Sequence, residues 1–159
     1  MVDIEDCALL QKESNEIFKT LRDSIKEIDG YNYLSHKGYL RYTILRQAWF
    51  TKETMINFVI ADKEIKLHPV LDQAIELADS VSIIFNDGLA DTSFGEIIDN
   101  HKNPHIEEIF DGIKFQITPN SFFQSNSSIA KKMYSRIKEE VNGNVLDLYS
   151  GVGSISLYI

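Results

Sequence analysis

The chain has 159 residues, 43% hydrophobic and 25% charged, an ordinary globular composition that excludes fibrous and disordered classes. Its 16 basic against 24 acidic residues leave a net charge of −8, the wrong sign for a free-standing nucleic-acid binder that works by neutralising phosphate. No run approaches the roughly 18 consecutive apolar residues of a membrane span, the stretch from Met1 to Asp6 lacks signal-peptide character, and a lone cysteine, Cys7, excludes an internal disulfide or a zinc site of several thiolates.

A cytoplasmic protein with no membrane partner is therefore expected, with RNA contact either local or supplied from elsewhere. Along residues 8–28 the apolar positions Leu10, Ile17, Phe18, Leu21, Ile25 and Ile28 recur near helical spacing, and Asp29-Gly30 supplies a stop. Residues 39–46 and 55–60 are β-rich runs with a short polar connection, which predicts antiparallel strands. Pro69 opens a predicted helix over 69–78, because proline is accepted in a first turn. Residues 81–85 predict another strand, and the polar stretch 99–104 predicts a loop. The run 106–117 predicts a hairpin that turns at Asp111-Gly112. A junction over 119–126 precedes a predicted helix at 127–141 with Ile129, Met133 and Ile137 on one face. Phe122 and Phe123 are expected to pack in the core at this seam.

The last stretch carries the chemistry. Val145-Leu146-Asp147-Leu148-Tyr149-Ser150-Gly151-Val152-Gly153 reads as an apolar strand with an acid near its end and then a glycine turn, the arrangement that brings backbone close to a small ligand in doubly wound folds. A phosphate-cradling loop would end in Gly-Lys-Ser/Thr, whereas Ser154-Ile155 follow here. A dinucleotide fingerprint would place a third glycine where Ser156 stands. The remaining pattern, apolar-Asp-x-x-x-Gly-x-Gly, is similar to the first motif of class I S-adenosylmethionine methyltransferases. By itself it fits a tight turn after a buried strand equally well.

Taken with Phe115-Gln116-Ile117-Thr118-Pro119-Asn120-Ser121-Phe122-Phe123-Gln124-Ser125-Asn126 and the intervening helix, the motif resembles the RNA uracil-5 methyltransferases of ribosomal and transfer RNA. The segments 38–46 and 55–59 resemble the central domain of that family. The resemblance implies an α+β central domain over residues 1–117. Residues 118–159 would then be a junction plus the first helix and strand of a truncated, Rossmann-like S-adenosylmethionine-binding domain. It implies cofactor contacts at Gln124, Tyr149 and Ser154, with Asp147, Gly151 and Gly153 in the loop. A glutamine amide offers donor and acceptor to the methionine zwitterion, and an aromatic ring covers apolar ligand surface. The alternatives are a Gln124 that satisfies junction backbone and a Tyr149 in the core.

Family chemistry adds a cysteine thiolate at uracil C6, lets the resulting enolate take the methyl group at C5, and ends when a base removes the C5 proton. No cysteine follows the glycine loop, so the chain alone is expected to be an inactive fragment that either pairs Val145 to Leu148 with another copy or leaves that end disordered. Residues 2–9 resemble the segment bearing the last of four iron-sulfur ligands, so Cys7 is a candidate ligand in an intact parent only, since such clusters take four cysteines. The competing reading is a non-catalytic RNA-binding or protein-interaction module that keeps the fold; a nicotinamide-dependent enzyme is a third. His36, His68, His101 and His105 are read as residues of solvated loops, Arg41 and Arg46 as surface groups, and Glu107-Glu108 as a solvated face.

Overall fold

The computed structural model describes residues 4–159; the start of the stretch read as lacking signal character, Met1 to Asp3, lies outside the described residues. Ten elements follow in order: α1 (Lys12–Ile25), β1 (Leu40–Gln47), β2 (Thr54–Ile60), α2 (Val70–Leu77), β3 (Ser80–Phe85), β4 (Glu96–Lys102), β5 (Ile106–Phe110), β6 (Ile113–Ile117), α3 (Ser127–Glu140) and α4 (Ser154–Tyr158). β1 to β4 form a four-stranded mixed sheet in sequence order. β1 and β2 are antiparallel as predicted, β2 and β3 are parallel across the α2 connection, and β4 runs antiparallel to β3. β5 and β6 form a separate hairpin.

Two helices cover one face of the sheet. Ile17 and Leu21 of α1, and Val70, Leu71 and Ala74 of α2, pack on Ile56, Phe58, Ile60, Val81 and Ile83. Each such side chain, fully buried, contributes roughly 1.5–3 kcal/mol. β2 is buried at every position because its other face is also covered: Met55 packs with Ala48, Ile106, Ile117 and Phe123. A further cluster joins the hairpin to the last two helices through Phe110, Phe115, Ala130, Tyr134 and Tyr158, with Phe123 against it. Phe123 is thus a core residue as expected, whereas Phe122 is 69% exposed.

Several expectations are corrected. α1 begins only at Lys12, because a turn closed by Leu10 N–H on the Cys7 carbonyl precedes it. The polar run predicted as a loop at 99–104 is mostly β4, where pairing with β3 from Ser80↔Lys102 to Phe85↔Glu96 overrides its composition. That places His101 on a strand, 3.2 Å from the Asp99 carboxylate. Arg41 is not a surface group. It is 6% exposed, donates to the carbonyls of Asn86, Gly88 and Ala90 and to Asn86 Oδ1, and lies 4.6 Å from the Tyr31 ring centroid. Glu108 is not solvated either; it is fully buried and accepts from the backbone N–H groups of Trp49 (2.6 Å) and Phe50 (3.0 Å).

The hairpin turns where predicted, with Asp111 at φ 48° and Gly112 at φ 85°, the left-handed pair that a two-residue turn of matching twist requires. Asp111 accepts from Lys131 of α3 and from the Tyr158 hydroxyl of α4. The Lys131 hydrogen bond, then that of Tyr158, holds the Asp111 carboxyl below the usual carboxylate range, and Asp111 pushes Lys131 above the usual lysine value. A depressed acid pKa contributes stability that is present above the unfolded-state value and is lost as pH falls through the folded one. Asp111→Asn, which tolerates the left-handed backbone, is therefore expected to melt below the wild type at neutral pH. The two melting curves, followed by calorimetry, should converge once pH falls below the ordinary carboxylate range.

Candidate functional site

The junction after β6 is a tight turn fixed from several sides. Ser121 N–H donates to the Thr118 carbonyl at 3.1 Å, Ser121 Oγ donates to the same oxygen at 3.0 Å, and Thr118 N–H donates back to Ser121 Oγ at 2.9 Å. From β1, Arg46 donates to the Ser121 carbonyl at 2.8 Å and reaches the Thr118 carbonyl at 3.4 Å. Asn120 Nδ2 donates to the Gly95 carbonyl at 2.9 Å. Gly95 is required at its place, since a Cβ there would stand 2.2 Å from the Phe85 carbonyl oxygen. Two residues beyond the turn, Phe123 is anchored among Phe110 and Phe115, and Asn126 then caps α3 by accepting from Ile129 N–H at 3.0 Å.

Gln124 stands between these anchors. It is exposed, and its side chain makes no hydrogen bond among the described residues, so its amide is not spent on junction backbone. It lines a cavity of about 400 Å³ with Arg46, Gln47, Trp49, Phe122 and Leu10. Among the described residues Arg46 is the only charged side chain on that wall. Its charge is met by carbonyl oxygens, with no carboxylate partner among the described residues, and burial pulls its pKa below arginine's usual value.

The glycine segment forms a second group. The predicted strand over 145–148 is absent: these residues take no regular structure, and Val145, Leu146 and Leu148 are 51%, 80% and 70% exposed. An apolar run becomes a strand only against a neighbouring edge, and the described residues offer none here. Tyr149 is fully exposed at φ 63°, not a core aromatic. Gly151 and Gly153 take φ 57° and 74°, and Gly153 N-caps α4 with its N–H on the Ser150 carbonyl at 2.8 Å. Asp147 accepts from Ser156, and Ser154 Oγ lies 3.0 Å from the Tyr134 hydroxyl. Asp147, Gly151, Gly153 and Ser154 therefore share one loop and helix start. None of them, nor Tyr149, lines the cavity that holds Gln124.

Cys7 is held by Asn15, which accepts from its N–H at 2.9 Å and donates to its carbonyl at 3.0 Å. No group of three or more histidine, cysteine or acidic side chains able to hold a metal occurs among the described residues, so Cys7 stands alone and these residues do not fit an iron-sulfur cluster. No helix among them is long and apolar enough to cross a membrane. Sequence reasoning missed Arg46 as a junction anchor and Glu108 as a buried acceptor, since the partners of both are backbone groups distant in the chain.

No model of a known protein family matches the chain. The tRNA (uracil(54)-C(5))-methyltransferase of Pyrococcus furiosus is 36% identical over 162 residues, taking in 100% of this chain and 39% of that protein. The 23S rRNA (uracil(747)-C(5))-methyltransferase of Pyrococcus horikoshii is 30% identical, again over 100% of this chain and 39% of that protein. Among solved structures, Pyrococcus abyssi tRNA (uracil-54, C5)-methyltransferase in complex with S-adenosyl-L-homocysteine superposes with a TM-score of 0.84 at 37% identity, covering 99% of this chain and 40% of that one. Along its whole length the chain is thus similar to RNA uracil-C5 methyltransferases, and it spans about two fifths of the length of those it matches.

Proposed function

We propose that the chain is a segment of an S-adenosylmethionine-dependent methyltransferase that acts on uracil C5 in transfer or ribosomal RNA. The observation that carries this reading is the match along the whole chain to enzymes of that kind. In this reading residues 1–117 are the central domain and 118–159 begin the cofactor-binding domain. The cofactor, which would supply the methyl group, would be held by Gln124 from the cavity wall and by Asp147, Tyr149, Gly151, Gly153 and Ser154 from the glycine loop, which lies outside that cavity. In support, the Gln124 amide is free at the cavity, and no heavy atom beyond its two chain neighbours stands within 4 Å of where a Gly151 side chain would begin, leaving backbone open to a ligand. Gln124 binds and orients the methionine end, while the left-handed glycines let the loop approach it.

The thiolate that would add to uracil C6 is not supplied by this chain, whose one cysteine, Cys7, lies before α1 and does not line the cavity. Activity of the complete enzyme then needs a cysteine and a base from other residues. The exposed apolar run at 145–149 supports pairing of that segment with a further strand, from such residues or from a second copy. The test is tritium release from transfer and ribosomal RNA labelled at uracil C5. The 159-residue chain is expected to release none with S-adenosylmethionine, and the complete enzyme to release it only when the cofactor is added. Release by the chain alone would overturn its assigned inactivity. No release by the complete enzyme would favour the non-catalytic module.

A further inference from the structure

Arg46, like Arg41, spends its charge on backbone carbonyls, and those it holds belong to the junction turn. Its guanidinium reaches from β1 to two carbonyls of the turn over 118–121, which is also closed on itself through Ser121 and tied to Gly95 through Asn120. A charged donor to a carbonyl is stronger than a neutral one, and the planar guanidinium fixes direction as well as distance. Three residues further on stands Gln124, free of hydrogen-bond partners among the described residues and on the same cavity wall as Arg46. Between them the Phe123 ring fixes the chain by packing on Phe110 and Phe115. The carbonyl end of the turn and the aromatic anchor together determine where the Gln124 amide stands.

We propose that Arg46 is a positioning residue for Gln124, holding the junction turn so that the amide is presented to a ligand in the cavity before that ligand arrives. This rests on the reading of Gln124 as a cofactor contact. Such preorganisation strengthens binding by removing the ordering cost from the binding step.

Hydrogen exchange on the chain and S-adenosyl-L-homocysteine calorimetry on the complete enzyme test the assignment, using Arg46→Met, Arg46→Lys, Gln124→Ala and the Arg46→Met/Gln124→Ala pair. Arg46→Met is expected to speed exchange at the Thr118 and Ser121 amides about tenfold, the scale of one charge-assisted hydrogen bond, while the amides of β2 and β3 keep their protection. Arg46→Lys should recover part of that protection. Arg46→Met should also weaken S-adenosyl-L-homocysteine, and the double variant should bind no more weakly than Gln124→Ala, because the arginine acts through the glutamine. Unchanged exchange at Thr118 and Ser121, or losses that simply add in the double variant, would overturn the proposal. If exchange rises as expected and Gln124→Ala leaves the affinity unchanged, the cofactor role of Gln124 fails while the hold of Arg46 on the turn stands.

Discussion

Phe110→Ala is expected to cost about 3–5 kcal/mol of stability, the range for deleting a buried aromatic ring. Phe110 is fully buried and touches rings from five parts of the chain: Phe50 at 5.7 Å between centroids, Phe115 at 5.2 Å, Phe123 at 5.9 Å, and Tyr134 and Tyr158 at 6.0 and 6.3 Å. These partners sit on the turn after β1, on β6, on the junction, on α3 and on α4. Several converge from rigid elements, so the surroundings cannot all move inward to fill the space. The loss should therefore stay near the upper end. It should also reach function, because Phe123 fixes the chain beside Gln124 and Tyr158 fixes the helix that follows the glycine loop. Urea denaturation gives the stability, and a change below about 1 kcal/mol would mean that the cluster collapses around the missing ring.

Glu108→Ala is the second large effect, with an expected loss of about 2–5 kcal/mol. Removing the carboxylate leaves the partly buried N–H groups of Trp49, Phe50 and Ile109 without their acceptor, and each donor left out of reach of water costs about 1–3 kcal/mol. Glutamine is not a rescue. Oε2 serves Trp49 while Oε1 serves Phe50 and Ile109, so an amide would turn one acceptor into a donor facing donors. Glu108→Gln should consequently lose nearly as much as Glu108→Ala, whereas an exposed acid would tolerate the exchange. Equal stability of Glu108→Gln and wild type in the same titration would refute the account.

The sequence made the periodic elements legible. β1, β2, α2, β3, the Asp-Gly hairpin and α3 all lie within a residue or two of their predicted bounds, because an alternating or helical apolar face is written locally. β4 was not legible, since its residues are polar and it exists through its pairing with β3. Arg41 and Glu108 read as surface groups for a related reason: the acceptors of one and the donors of the other are backbone atoms brought close by folding, 45 to 59 residues away. At the candidate site, spacing pointed to Gly151 and Gly153, which do take left-handed conformations. Gln124 entered only through family resemblance, and its free amide is a fact of packing. The partners of Arg46 lie 72 and 75 residues on and are carbonyls, which every residue carries and no motif can mark.

β4 is one of the two edge strands of the mixed sheet, and it carries the charged or polar residues Glu96, Asp99, His101 and Lys102 along with a break in register opposite Ile83 and Ile84. Charge and irregularity on an outer strand discourage another molecule from adding to it. Growth of an ordered fibre needs two receptive surfaces per molecule, one to accept and one to offer. With addition at β4 discouraged, concentrated solutions of the chain should not grow extended sheets from this edge.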